Sequence, residues 1–134
     1  MSFNGKVAVV TGGASGMGQI SARRLAKQGA QVAILDVNEA GLKETAEGNP
    51  NIHPFVCNIA SWEEVQQVVA DVEAKLGPID RLTHAAAIMP MGPLNTMPVE
   101  LITKMMEINY FGTVHLTKAI LPSMLKRDTG DMIL

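Results

Sequence analysis

The stretch Thr11-Gly12-Gly13-Ala14-Ser15-Gly16-Met17-Gly18 constrains this chain more than any other. An apolar run, Val7-Ala8-Val9-Val10, leads into it and reads as a strand buried on both faces. A segment with helical spacing follows. A strand that turns through glycines into a helix offers an anion free backbone N–H groups and the positive end of a helix dipole. Glycine permits the turn and lets a phosphate approach the backbone. A dinucleotide pyrophosphate is held in this way. Glycines at 12, 16 and 18 give Gly-x-x-x-Gly-x-Gly, not the commoner Gly-x-Gly-x-x-Gly. A bare glycine motif can be no more than a structural turn, so the surrounding pattern has to carry it. Here a second strand ends in Asp36, 18 residues after Gly18, close to the spacing of an acid that bonds the adenine ribose.

The rest of the chain alternates strands with helices. Strand one is about Lys6 to Thr11. The helix after the loop carries Gly18, Ala22, Leu25, Ala26 and Gly29 on one stripe, with Gly29 as its stop. Gln31 to Asp36 is the second strand. Asn38 caps a short helix with Leu42 and Ala46 on its inner face. Ile52 to Cys57 is a third strand, which Pro54 places at a sheet edge. Ser61-Trp62-Glu63-Glu64 has the form of a capping box ahead of the stripe Val65, Val68, Val69, Val72 and Leu76.

Ile79 to Ala85 is the fourth strand, followed by a proline-containing loop from Ala86 to Met97. A long helix is predicted from Val99 to Lys126, with Leu101, Met105, Ile108 and Gly112 on one face and Pro122 near its end. A second apolar stripe runs beside it through Ile102, Met106, Tyr110, Val114, Thr117 and Leu121. Gly130 to Leu134 opens a fifth strand. Such alternation predicts right-handed βαβ units and a doubly wound parallel α/β sheet. The order is 3-2-1-4-5, with the ligand crevice between strands one and four, where the winding reverses.

Bulk properties narrow the partners. One dinucleotide-binding domain spans the 134 residues. With 47% hydrophobic and 18% charged residues, the chain is globular and not disordered. Its net charge is −2 and no basic run exceeds two residues, which argues against nucleic acid or an anionic membrane. No apolar run approaches a membrane span, and none has the form of a signal peptide. A single cysteine, Cys57, fits a reducing cytoplasm. No second His or acid lies at metal-ligand spacing from His84, so no metal site is expected.

Thr-Gly-x-x-x-Gly-x-Gly after a first strand resembles the short-chain dehydrogenase/reductase family, and the resemblance runs the length of the chain. It implies a Rossmann-like fold and a nicotinamide cofactor held by Thr11, Gly12, Ser15, Gly16, Met17 and Gly18. Asp36 and Val37 would meet the adenine ribose. An acid there accepts from both ribose hydroxyls of NAD and repels the extra phosphate of NADP. NADP-binding relatives place a basic residue at one of two positions, which here are Ser15 and Val37. Asn58, where the family usually has aspartate, and Ile59 would meet the adenine; a turn asparagine is the competing role.

His84-Ala85-Ala86-Ala87 falls where the family has Asn-Asn-Ala-Gly. Ala85, Ala86 and Ala87 would line the cofactor, and His84 would replace an amide hydrogen bond. Asn109 matches the family's catalytic, helix-borne asparagine, which holds a water in a proton relay and disturbs the helix locally. The serine after strand five and the Tyr-x-x-x-Lys expected beyond it have no counterpart: the one tyrosine is Tyr110, and Val114 stands four residues on. The chain therefore reads as the cofactor-binding half of an NAD-linked enzyme. That enzyme would act on a small-molecule alcohol or carbonyl and form homo-oligomers through its last long helix. The alternatives are a non-catalytic nucleotide-binding or interaction module, or a truncated product without activity.

Overall fold

A computed structural model describes residues 2–134. Its strands are β1 (Val7–Thr11), β2 (Gln31–Asp36), β3 (Ile52–Val56), β4 (Arg81–His84) and β5 (Asp131–Ile133). Its helices are α1 (Gly16–Lys27), α2 (Glu39–Ala46), α3 (Trp62–Leu76), α4 (Val99–Met106) and α5 (Gly112–Arg127). The strands form one parallel sheet in the order β3-β2-β1-β4-β5. This is the Rossmann-like order that the alternation of elements predicts. β3, with Pro54, is an edge strand as expected, since proline has no N–H to give to a second neighbour.

Every residue of β1 is buried, and alternate side chains enter two different cores, which explains the two layers. Val7 and Val9 belong to a core with Leu35, Val65, Val72, Leu116 and Ile120, beneath α3 and α5. Ala8 and Val10 belong to the opposite core with Ala22, Leu25, Ile34 and Leu42, beneath α1 and α2. A central strand with both faces covered must be apolar throughout, which is why β1 shows no polar alternation. Burying each such valine contributes roughly 1.5–3 kcal/mol.

Four local features refine the sequence expectation, and one of them, the disturbance at Asn109, is the one the resemblance implies. The fourth strand is Arg81–His84, shorter at both ends than the expected Ile79 to Ala85, although the Asp80 N–H still donates to the Val7 carbonyl. Asp80 accepts the Val7 N–H through its carboxylate and is itself held by Arg127 of α5. The long helix is interrupted by a π-helical turn, Glu107–Phe111, between α4 and α5. Pro122 sits inside α5 without ending it. The capping box at α3 is only half made. Ser61 Oγ accepts from the Glu64 N–H at 3.3 Å, but the Glu64 carboxylate turns to the Asn58 N–H, 2.6 Å away.

Candidate functional site

A cleft of about 380 Å³ opens at the carboxyl edge of the sheet. Its floor is the junction of β1 and β4, where Thr11 pairs with His84. The glycine turn, the end of β2, the segment after β3 and the segment after β4 surround it. Gly12, Ser15, Gly16, Met17 and Gly18 line one wall. Gly12 has φ +67, and a Cβ added there would lie 3.0 Å from the Ala85–Ala86 peptide. At Gly18 the demand is steric: an added Cβ would stand 2.1 Å from the Gly12 carbonyl oxygen. α1 therefore starts in contact with the strand it leaves. By helix geometry its first-turn N–H groups have no intrahelical acceptor. Ser15 is extended at the N-cap and makes no side-chain cap bond. Above Gly16 an added Cβ would meet nothing within 4 Å. An open, electropositive cradle of this kind fits an extended anion such as a pyrophosphate.

Asp36 and Val37 line the cleft beside that cradle, together with Leu35. Asp36 is held by the glycine turn and by α2. One carboxylate oxygen accepts the Ala14 N–H at 3.2 Å and the other accepts the Asn38 N–H at 3.1 Å. Each oxygen keeps lone-pair capacity for a further donor. Asn38 in turn caps α2 through the Gly41 N–H. Thr45 of α2 is buried, donates to the Gly13 carbonyl at 2.8 Å and accepts from Gln19 of α1. α2 thus clamps the turn from behind, through a threonine that shares the inner face of Leu42 and Ala46.

Asn58 and Ile59 form the adjoining wall with Cys57. The Asn58 side-chain oxygen accepts the Ala60 N–H at 3.0 Å, so the side chain does make the turn bond considered from sequence. Burial, and secondarily Glu64, pushes the Cys57 thiol up to about 11. It remains protonated at neutral pH and is no nucleophile.

Ala85, Ala86 and Ala87 line the remaining wall, as does Ile88. Thr11 lies beneath this wall and is fully buried. Its hydroxyl accepts the Ala85 and Ala86 N–H groups at 3.1 and 3.2 Å. Asn109 lies in the π-helical turn, outside the cleft wall. Its amide makes a two-pronged bond to the Ile88 backbone, accepting from the N–H at 2.9 Å and donating to the carbonyl at 2.7 Å. Leu35, Cys57, Ile88 and Ile108 also line the cleft and are not among the sequence candidates. For Ile88 and Ile108, adjacency to Ala87 and Asn109 is the signal that would have found them. Among the described residues, no group of three His, Cys, Asp or Glu side chains could hold a metal. Among them, too, no helix is long and apolar enough to cross a membrane.

Comparison with known proteins gives a consistent picture. The model of the short chain dehydrogenase family matches residues 6–134. A short chain dehydrogenase of Pseudocercospora fijiensis is 39% identical over 98% of this chain and 44% of that protein. 17-beta-hydroxysteroid dehydrogenase 13 of Mus musculus is 32% identical over 98% of this chain and 45% of that protein. Among solved structures, an actinorhodin polyketide ketoreductase variant with NADPH superposes with a TM-score of 0.90 at 34% identity. It covers 95% of this chain and 51% of that one. The chain spans about half the length of the proteins it matches.

Proposed function

The chain belongs to the short chain dehydrogenase family, and on that premise we propose that it is the NAD-binding half of an oxidoreductase. The parent reaction is hydride transfer between the nicotinamide and a secondary alcohol or carbonyl. The observation that carries this reading is Asp36, which lines the cleft and is fixed by two backbone N–H groups, one of them from the glycine turn itself. The first-turn N–H groups from Gly16 to Gly18 would hold the pyrophosphate. Asp36 would take the adenine ribose hydroxyls, beside Val37. Asn58 and Ile59 would border the adenine, and the Ala85–Ala87 backbone would border the second ribose. When bound, the nicotinamide supplies or accepts the hydride. The chain's residues orient it and exclude water. Asn109 would be the member of the catalytic set carried here, its place fixed by Ile88. The buried Cys57 fits a reducing compartment, which supports a cytoplasmic location.

NAD is expected to bind more tightly than NADP. Asp36→Ala should weaken NAD by about tenfold or more, since hydrogen bonds to a charged group contribute roughly 1.5–3 kcal/mol. NADP should change little, because the lost repulsion offsets the lost bonds. Calorimetric titration of both cofactors against both proteins checks this, and equal affinities in the unmutated chain would sink it.

The outer face of α4 and α5 supports the proposed homo-oligomer. Met106, Tyr110, Val114 and Leu121 form a stripe of exposed apolar side chains, with Phe111 and Leu125 beside it. A helix apolar on a second side buries that side against something. β5 also leaves one strand edge unpaired at the end of the sheet. The purified chain is therefore expected to self-associate. Light scattering across a dilution series is the measurement; a monodisperse 14.3 kDa species at tens of micromolar would overturn the expectation.

A further inference from the structure

We propose that His84 is a positioning residue which, as the neutral Nε2–H tautomer, closes a ring of hydrogen bonds around the Ala85–Ile88 wall of the cleft. Its partners assign the tautomer. Thr11 Oγ1 accepts two backbone N–H groups, from Ala85 and Ala86. Both of its lone pairs are then used, and its one proton is left for His84 Nδ1, 2.7 Å away. At the other edge of the ring, His84 Nε2 lies 2.9 Å from Thr113 Oγ1. The Thr113 proton is committed to the Asn109 carbonyl at 2.7 Å. Thr113 must therefore accept from His84, so the ring carries its proton on Nε2.

Each hydroxyl proton and each imidazole nitrogen in this path has one partner. The ring closes because the Asn109 side chain returns to the Ile88 backbone. The circuit runs from the Ala85–Ala86 peptide through Thr11, His84, Thr113 and Asn109 to Ile88. It joins β1, β4, the π-helical turn and α5 around four residues, three of which are proposed to border the cofactor. A protonated imidazole would set an N–H against Thr11, whose lone pairs are both taken. Burial lowers the His84 pKa, which keeps the ring neutral at neutral pH. An asparagine at this position is one bond shorter than the imidazole's Nε2 edge and could not bridge the same two threonines.

The ligand consequence rests on the NAD reading; the bond ring does not. The test therefore measures both in one set of proteins. Nitrogen-15 NMR of the unliganded chain is expected to show His84 neutral with its proton on Nε2 at pH 7. Thr113→Val keeps the shape and removes the hydroxyl. It should speed amide exchange at Ala85, Ala86 and Ile88 about tenfold, in keeping with the net contribution of a typical hydrogen bond, and weaken NAD by a similar factor. Thr113→Ser should restore both. A proton on Nδ1, a charged ring at pH 7, or unchanged exchange in Thr113→Val overturns the proposal. If Thr113→Val does not fold, the wild-type tautomer decides. Faster exchange in a protein that binds no dinucleotide would uphold the bond ring and refute the NAD reading.

Discussion

Gly18→Ala is expected to abolish dinucleotide binding and to lower stability by about 3 kcal/mol, the upper end for forcing a methyl into a packed interior. The added Cβ would lie 2.1 Å from the Gly12 carbonyl oxygen, 2.5 Å from its carbon and 2.9 Å from the Thr11 carbonyl oxygen. All three are backbone atoms of β1 and its turn, so no side chain can rotate away. The helix must lift off the strand, and its first-turn N–H groups move with it. The same shift disturbs Gly12, where only the lack of a Cβ leaves room for the Ala85–Ala86 peptide. Both walls of the cleft therefore separate through one methyl group. Gly48→Ala is the control. Gly48, unlike Gly18, has positive φ, +72, but an added Cβ meets nothing within 4 Å and the residue does not line the cleft. It should cost only the left-handed backbone penalty, about 1–2 kcal/mol, and leave NAD affinity unchanged. Chemical denaturation and NAD titration of the two variants measure this. A Gly18→Ala protein that matches the wild type in both would refute the account of the glycine turn.

The parts of this architecture that were legible are those whose signal is local. β1, the glycine turn, α1 and β2 follow from a short apolar run, three spaced glycines and a small-residue stripe, each readable within a few residues. Asp36 follows from its distance along the chain to Gly18. The strand order follows from the alternation of elements together with the handedness of parallel crossovers. The illegible parts are meetings between distant side chains. Thr45 reaches the Gly13 carbonyl 32 residues away. Glu64 leaves its expected capping partner for the Asn58 N–H because the chain returns there from β3. His84 reads in sequence as a substitute for an amide. Only the fold shows that it bridges Thr11 and Thr113, residues 73 and 29 positions away. The π-helical turn is likewise invisible to a 3.6-residue period. The resemblance alone pointed to a disturbance at Asn109, and the two-pronged bond to Ile88 is what holds that residue within the turn.

The 134-residue chain, given NADH and a panel of ketones or NAD and secondary alcohols, is expected to show no measurable turnover. Proton transfer at the reacting oxygen must come from the protein, and general acid–base groups are worth roughly 10²–10⁴-fold. Asp36 stands at the proposed ribose end, and both of its oxygens are held by backbone N–H groups. The Cys57 thiol is pushed up to about 11 and stays protonated. His84 has both ring nitrogens engaged by threonines, and burial favours its neutral form. Tyr110 does not line the cleft; it lies exposed beside Phe111, with Val114 rather than a lysine four residues on. Asn109 orients but cannot donate a proton at neutral pH, and one N–H and one lone pair of its amide are engaged by Ile88. Binding without turnover is the pattern this arrangement predicts. The NADH absorbance decay, followed at saturating cofactor and compared with a protein-free blank, is the measurement. Clear turnover by the purified chain would mean that one of these groups is available in a way the geometry does not allow, and would overturn the assignment of this chain as the cofactor-binding half.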